Sequence, residues 1–439
     1  MSPGVAERME RMGVRPRKKL IFVNRFYHPD QSATSQILHD LATGLARRGF
    51  DIHVLCSGQL YDDPDAKLPA AEVVDGIRVR RVPTTRFGRG RLVGRAVDYA
   101  SFYLSAGAAL WRLVRGADIV VAKTDPPLIS LVCALVVRFR RAVLINWQQD
   151  VFPEIASALG ANPLPRPLDA SLRRWRNAAM RHAAVNVVIG QRMREYFIKL
   201  GIPRAKLAVV ENWSDPTAIA PLAPGASRLR AEQGLLDRFV VGYSGNLGRA
   251  HEFATLLGAA QALRDTPGIV FLIIGGGARM PALRQAVAER ELENFVFLPY
   301  QPRERLGDSL AAADLHVVSL VPKLEGLIVP SKFYGILAAA RPVVFIGDHD
   351  GEIAPEIRAA DCGLVIDVGD SERLARELRA LQLDAPRCLG MGRRARALLT
   401  EKYDVRLGID KWAVLLEQWE ATPSVRPADP VRAAELREP

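Results

Sequence analysis

Short apolar runs alternate with amphipathic stretches along most of the chain, and Gly, Pro and Asp punctuate the junctions. Residues 19–23 begin a strand. Within 35–48, Ile37, Leu38, Leu41 and Leu45 fall at helical spacing, and Gly49 closes the stretch. Residues 50–56 read as the next strand, so the chain opens with the βαβ unit of a doubly wound sheet. Further on, 77–82 predicts a short strand and 95–114 a long helix. Residues 118–122 predict a strand ending at Thr124-Asp125-Pro126-Pro127, and 142–147 one ending at Gln148-Gln149-Asp150. Residues 185–189 and 207–210 complete this first series. The stretch 212–224 lacks a period and reads as a linker. A second series places strands at 239–244, 270–274, 296–298, 315–320, 343–346 and 363–366, and 407–419 predicts a last helix. Residues 1–18 and 422–439 read as disordered ends. The pattern is α/β, with two Rossmann-like doubly wound parallel sheets in tandem, spanning 19–212 and 225–403.

A length of 439 residues suits two domains, and 49% hydrophobic content amply fills their cores. No apolar run approaches the ~18–20 residues of a membrane span. The first residues lack the apolar core of a secretory signal, so the chain reads as cytoplasmic. Cys56, Cys133, Cys362 and Cys388 lie far apart without metal-ligand spacing and read as buried, reduced thiols. The net charge of +12 fits an anionic partner, whether a phosphorylated substrate, an anionic membrane surface or nucleic acid, and the alternative is that it reflects the composition of an Ala/Arg/Leu-rich chain. The arginines are dispersed among buried-looking elements, which argues against nucleic acid. Arg86, Arg89, Arg91 and Arg95 run into a helix carrying Tyr99, Phe102, Tyr103 and Trp111. Basic residues beside aromatics suit a helix lying on anionic lipid, and Arg173, Arg174, Trp175 and Arg176 extend that face. The alternative is a core helix with a solvated basic end.

Two segments carry candidate chemistry. In EGLIVPSKFYGILAAARP (325–342) a glycine turn after a strand leads to Pro330-Ser331-Lys332, which opens an apolar helix. Ser331 is placed to cap the helix, and such a junction suits an anion. In GYSGNLGR (242–249) the glycines let backbone N–H groups approach a diphosphate. Arg249, with His251 assisting, supplies positive charge there, and Lys332 is expected opposite. Two cations on a diphosphate serve a departing nucleotide without a metal, and no Asp-x-Asp sits where a metal-bound nucleotide needs one. Gly275 and Gly276 follow a strand and are expected to wall the nucleotide. Tight turns and a core strand–helix–strand unit account for the same residues structurally.

Together with FYHPDQSATSQILHDLATGLARRGFDIHVLC, WQQDVFPE and VVGYSGNLGRAHEF, the 325–342 segment resembles the retaining glycosyltransferases of family 4. The likeness is to the bacterial capsule, O-antigen and colanic-acid type, where PSK-x-YGILAAG-x-P recurs, and it covers about 19–420. It implies the GT-B fold: two Rossmann-like domains facing across a cleft, acceptor on the first, donor on the second, with the C-terminal helix 404–420 packing back on the first. It implies that Glu325, followed by Gly326 and Leu327, meets the donor sugar. Gly245, Asn246, Arg249, His251, Gly275, Gly276, Ser331 and Lys332 complete the donor site, with Tyr300 and Gln301 beside the base. The pattern departs in two places. Asn246 stands where many relatives have arginine, and Gly335 stands where a second glutamate holds the ribose; Ser331 is the candidate substitute. On the first domain His28, Ser32, Thr34, Thr124, Asp125 and Asp150 are expected to face the acceptor. Asp150 falls where relatives often have histidine near the reacting sugar.

The resemblance thus implies Glu325, Asp150, Arg249 and Lys332 as the catalytic set, with neither metal nor cofactor. It implies a nucleotide-sugar donor, UDP above others, and a polyprenyl-diphosphate-linked sugar acceptor. Peripheral contact with the anionic inner face of the cell membrane is expected, and no nucleic acid. A UDP-sugar epimerase on the same scaffold is the enzyme alternative, and a basic nucleic-acid-binding protein the non-enzyme one.

Overall fold

Strand β5 (Ile119–Lys123) is buried at every position, including its terminal lysine. Such a run must be covered on both faces, and a parallel sheet flanked by helices covers it. The computed structural model describes residues 18–420 apart from 62, 64, 89–91 and 162–163. The two expected disordered ends, save residue 18, therefore lie outside the described residues, as do Arg89 and Arg91.

The first sheet contains β1 (Lys19–Val23), β2 (Asp51–Ser57), β3 (Ala71–Val74), β4 (Ile77–Val82), β5, β6 (Val143–Gln148), β7 (Val185–Val188) and β8 (Leu207–Val209). Their order is β3-β4-β2-β1-β5-β6-β7-β8, parallel except for the β3–β4 hairpin. The second sheet contains β9 (Phe239–Asn246), β10 (Ile269–Gly276), β11 (Phe295–Leu298), β12 (Leu315–Ser319), β13 (Val343–Ile346) and β14 (Gly363–Ile366). Its order β11-β10-β9-β12-β13-β14 is wholly parallel. Each sheet reverses its strand order once, between β1 and β5 and between β9 and β12. Ligands bind in the crevice outside the carboxyl ends of the strands at such reversals.

One apolar cluster spans both domains. Val151, Met193 and Phe197 of the first meet Leu324, Leu327, Phe333 and Ile353 of the second. The chain crosses between the domains twice, side by side. Ser214 donates its N–H to the Tyr403 carbonyl at 3.1 Å, and Val405 donates to the Ser214 carbonyl at 3.2 Å. The last helix, Val405–Glu420, then packs on the Ala33–Arg47 helix of the first domain. Trp412 is fully buried there, its ring edge-on to Trp147 at 5.0 Å. Gly44 admits this approach, since a Cβ on it would lie 2.3 Å from Ile409 Cδ1.

Two details differ from the sequence reading. Strand β3 was not expected: it is short, half exposed and at the sheet edge, so no apolar run marks it. The basic segment 173–176 is not a lipid-facing unit as a whole. Arg176 is buried in a two-pronged ion pair with Glu154, one arm at 2.8 Å, and Arg173 Nε donates to Asp169 at 2.7 Å.

Candidate active site

At the reversal of the second sheet, the turns after β9 and β10 lie directly on one another. Leu247 N–H donates to the Gly276 carbonyl at 2.6 Å. A Cβ on Gly275 (φ +123°) would stand 2.4 Å from the Gly245 carbonyl oxygen, and one on Gly277 (φ +126°) 2.3 Å from Asn246 Oδ1. No other residue fits this left-handed, close-packed backbone. The result is a floor of bare peptide. Tyr300 lies over it, with ring carbons 3.1 and 3.2 Å from where Cβ atoms of Gly276 and Gly275 would sit. With 58% of its surface exposed, the ring offers a face to a planar group. Gln301 is bonded locally, its Nε2 donating to the Pro299 carbonyl at 3.1 Å.

Lys332 reaches this floor from the other side of the reversal. Its Nζ donates to the Tyr243 hydroxyl and sits 3.7 Å from the Tyr243 ring centroid. Its Cε would lie 4.0 Å from a Cβ on Gly245. Burial alone holds its pKa well below the ordinary lysine range, with no carboxylate contributing among the described residues. An ammonium taken from water without a counter-ion is costly, and an anionic ligand removes that cost. Arg249 is exposed on a cavity of about 290 Å³ that Arg279 and Lys323 also line, with Leu159 contributed by the first domain. Three cations therefore ring one opening at the ends of β9, β10 and β12.

His251 does not add a fourth, contrary to the expected assisting charge. Its Nδ1 lies 2.6 Å from the Ser319 carbonyl, and burial beside Lys332 pushes its pKa down to about 3. The ring is neutral and ties the β9 turn to the end of β12. Ser331 does not cap its helix either, since its side chain makes no capping bond and its backbone is already helical. The Lys332–Ala338 helix has seven residues, so the anion site rests on Lys332 and the glycine floor instead. A Cβ on Gly335 would meet only Leu310 Cδ1, at 3.8 Å.

Glu325 is half-buried. Its Oε2 accepts from Glu352 N–H at 3.0 Å, while Oε1 is buried and unpartnered. Burial pushes its pKa up to about 7, with Asp348 and Glu352 adding to the rise. Gly326 (φ +76°) packs against the first domain, where a Cβ would lie 3.2 Å from the Arg192 carbonyl oxygen. Leu327 is buried, and its carbonyl accepts from Val151 N–H at 2.9 Å. That bond brings Asp150 of the first domain beside the 325–327 loop.

In the first domain, the residues expected to face the acceptor fall into two groups. Ser32 is occupied: its Oγ donates to Asp30, whose Oδ1 also takes Ser32 N–H at 2.9 Å. His28 stacks on His39 at 4.7 Å with its Nδ1 buried and unpartnered. The other group surrounds a lysine the sequence reading passed over. Lys123 ends β5, is 1% exposed, donates to the Thr34 carbonyl at 2.5 Å and lies 4.1 Å from the Trp147 ring centroid. Burial pulls its pKa down to about 7, against the opposing pull of Asp125 and Asp150. Asp150 in turn is pushed up by burial to about 6, with Lys123 opposing. Thr124 Oγ1 accepts from Gln149 N–H at 3.3 Å, and Gln149 exchanges two 2.9 Å amide bonds with Asn212. Thr34, Thr124, Asp125 and Asp150 are thus held around one buried amine, whereas His28 and Ser32 belong to a neighbouring loop. Arg279 and Lys323 were also passed over; the signal for Arg279 was its place directly after a glycine turn.

Residues 33–213 match the family described as "Glycosyl transferase 4-like domain", and residues 238–384 match "Glycosyl transferases group 1". Probable glycosyltransferase WbjE of Pseudomonas aeruginosa is 25% identical over 335 residues, 75% of this chain and 81% of that protein. Putative colanic acid biosynthesis glycosyl transferase WcaI of Escherichia coli K12 is 29% identical over 175 residues, 39% of this chain and 43% of that one. Among solved structures, Anabaena HepE in complex with UDP-glucose superposes with a TM-score of 0.68 at 18% identity, over 91% of this chain and 99% of its own. Two Rossmann-like sheets across a cleft, a cationic strand-reversal site on the second, and both halves matched in order make this chain a GT-B glycosyltransferase of the family 4 type.

Proposed function

We propose that the protein is a retaining, metal-independent transferase that moves a hexose or N-acetylamino sugar from a UDP-sugar to a polyprenyl-diphosphate-linked sugar. The step would belong to bacterial surface polysaccharide synthesis. The observation that carries the donor site is Lys332, a half-buried, desolvated ammonium with no carboxylate contributing among the described residues, set against the Gly245 turn. A diphosphate placed there would be flanked by Arg249, Arg279 and Lys323 from the adjoining cavity. The base would lie on Tyr300. The names of WbjE and WcaI and the UDP-glucose bound by HepE support the class of reaction and donor.

The developing charge in the transition state falls on the departing phosphate oxygens, and fixed cations stabilise it there without reorganising. Retention follows if the acceptor hydroxyl attacks from the leaving-group face, handing its proton to that phosphate. Asp150, at about pKa 6 beside the donor loop, orients the incoming sugar and needs no great basicity. Burial of the cleft between the domains excludes water that would otherwise hydrolyse the donor.

The acceptor reading draws on the outer face of the Leu92–Leu113 helix. Val97, Leu104 and Trp111 recur every seven residues along it and are exposed, Leu104 by 77%. Leu135 and Phe139 of the adjacent helix continue the strip, and Arg140 lies 5.2 Å from the Trp111 ring centroid. Arg95, Arg112 and Arg138 are exposed on the same two helices. Phe102 faces the core and Tyr103 bonds the Pro127 carbonyl, so the strip is mainly aliphatic rather than aromatic. An apolar ridge among arginines suits an anionic bilayer carrying the lipid-linked acceptor. A panel of UDP-, GDP- and dTDP-sugars tests the donor, since the true donor raises the melting temperature most. Turnover that survives EDTA supports metal independence, and a strict manganese requirement overturns it.

A further inference from the structure

The loop between β13 and the Ala354–Ala359 helix, His349-Asp350-Gly351-Glu352, had no assigned role, yet it joins the two domains at the donor loop. The Gln191–Lys199 helix of the first domain begins at Gly190, which has no side chain to cap it. Its free N–H groups are capped across the cleft. Glu352 Oε1 accepts from Gln191 N–H at 2.8 Å and Oε2 from Arg192 N–H at 2.7 Å. Arg192 also reaches back to the Asp350 carbonyl. A Cβ on Gly190 would lie 2.4 Å from the Glu352 carboxyl carbon, so only glycine leaves room for the cap. The same residue faces the other way through its backbone. Glu352 N–H donates to Glu325 Oε2, and Glu325 Oε1 is left buried without a partner. A Cβ on Gly351 would lie 2.3 Å from that oxygen, so a second glycine keeps the carboxylate in place.

We propose that Glu352 is a positioning residue that fixes Glu325 for the donor sugar only when the two domains are closed. The carboxylate of Glu352 belongs to the second domain and its two N–H partners to the first. Any opening that separates them releases the 349–352 loop. Glu325 then loses the one N–H that orients it. In the closed state Oε2 is held, and Oε1 is the carboxylate oxygen left without a partner. The device thus reports the position of the first domain, where the acceptor binds, to the donor-sugar contact. Asp348 and Glu211 also act electrostatically on this pair, and Arg192 is the cation that opposes them.

The inference rests on Glu325 meeting the donor sugar, and the experiment separates the two. Affinities for UDP, UDP-glucose and UDP-N-acetylglucosamine are measured by calorimetry on wild type, Glu325→Ala, Glu352→Ala, Glu352→Gln and Gly190→Ala. Wild type should prefer one UDP-sugar over UDP by roughly tenfold, the scale of one hydrogen bond to a charged group. Glu325→Ala, Glu352→Ala and Gly190→Ala should each erase that preference while UDP affinity stays unchanged. Glu352→Gln, which keeps one oxygen for the helix, should restore part of it. The Glu325→Ala/Glu352→Ala double variant should add nothing to either single change. Scattering should show Glu352→Ala and Gly190→Ala more extended than wild type and Glu325→Ala unchanged. If Glu325→Ala keeps the preference, or wild type has none, the donor-sugar reading fails and this inference with it. If Glu325→Ala erases the preference and Glu352→Ala does not, the donor reading stands and the positioning role is overturned.

Discussion

Replacing Lys332 by methionine should move stability and ligand binding in opposite directions. Methionine keeps the length and apolar stem while deleting the charge. In the ligand-free protein that charge is half-buried and desolvated, no carboxylate contributes to it among the described residues, and the polar contact found for it there is the Tyr243 hydroxyl. The Tyr243 hydroxyl retains the Asn246 carbonyl at 3.1 Å when the ammonium is gone. Loss of the cation therefore relieves a desolvation cost and leaves no orphaned partner, so Lys332→Met should melt no lower than wild type. The folded-state pKa lies below the unfolded value near 10.4, so the unfolded chain binds the proton more tightly across the interval between them. Wild-type stability should rise with pH through that interval, and the variant should lose this rise.

With the diphosphate present the comparison reverses. A unit charge about 4 Å from a phosphate oxygen contributes about 4 kcal/mol at an effective dielectric constant near 20. Deleting a fixed charge-stabilising group in an active site costs about 2.7–4 kcal/mol, or roughly 10²–10³ in turnover. The same substitution should weaken UDP roughly 10- to 150-fold, the range for a hydrogen bond to a charged group. Melting curves with and without saturating UDP read both signs in one instrument. A variant that binds UDP as wild type does, or that melts lower without ligand, refutes the assignment.

Glu325 provides a pH test. Its folded pKa of about 7 lies above the ordinary carboxylate value, so the folded state holds the proton more tightly and stability should fall as pH rises from about 4.5 to 7. Glu325→Gln should flatten part of that fall, and Asp150, raised to about 6, together with Asp40 and Glu352, raised in the same direction by burial, contributes to the remainder; identical pH–stability curves would contradict the burial of Glu325. The protein should sediment with anionic vesicles at low salt and release as salt rises, with Leu104→Glu and Trp111→Glu together abolishing the association. Equal binding to neutral vesicles removes the electrostatic part of that reading. Gly335→Ala should be tolerated or stabilise by about 0.5–1 kcal/mol, because helical glycine is costly and the nearest atom leaves ordinary contact distance. Unfolding at markedly lower temperature would place another backbone where that helix face is open.

The sheets were legible because a buried parallel strand needs a continuous apolar run, and β1, β5, β12 and β13 have one. Strand β3 escaped because Ala71–Val74 is an exposed edge without such a run. Lys332 and the glycine turns stood out in the sequence because they sit at junctions between apolar strand-like runs and the segments that follow them. Lys123 was not, since a lysine ending an apolar run ordinarily reads as the point where the strand meets water. Its burial comes from Thr34 and Trp147, distant in sequence. His251 was given a charge that its surroundings remove, and only the packed structure supplies burial and the Ser319 carbonyl. Glu352 lies in a polar loop that looks solvated until its partners, 160 residues and more away, are brought against it.

The helix that returns from the end of the chain has a consequence for biosynthesis. Trp412 and Leu416 are interior residues of the first domain, packed with Trp147 and Leu41, yet they are translated after every strand of the second domain. At about 5–20 residues per second, the ribosome needs roughly 10–40 s to go from the first crossing to that helix. During this interval the nascent first domain exposes the groove beside Trp147 and Trp213 that Trp412 later fills. The second domain has its own core and can mature in the meantime. Folding of this protein is therefore out of order with its synthesis: the half made first is the half finished last.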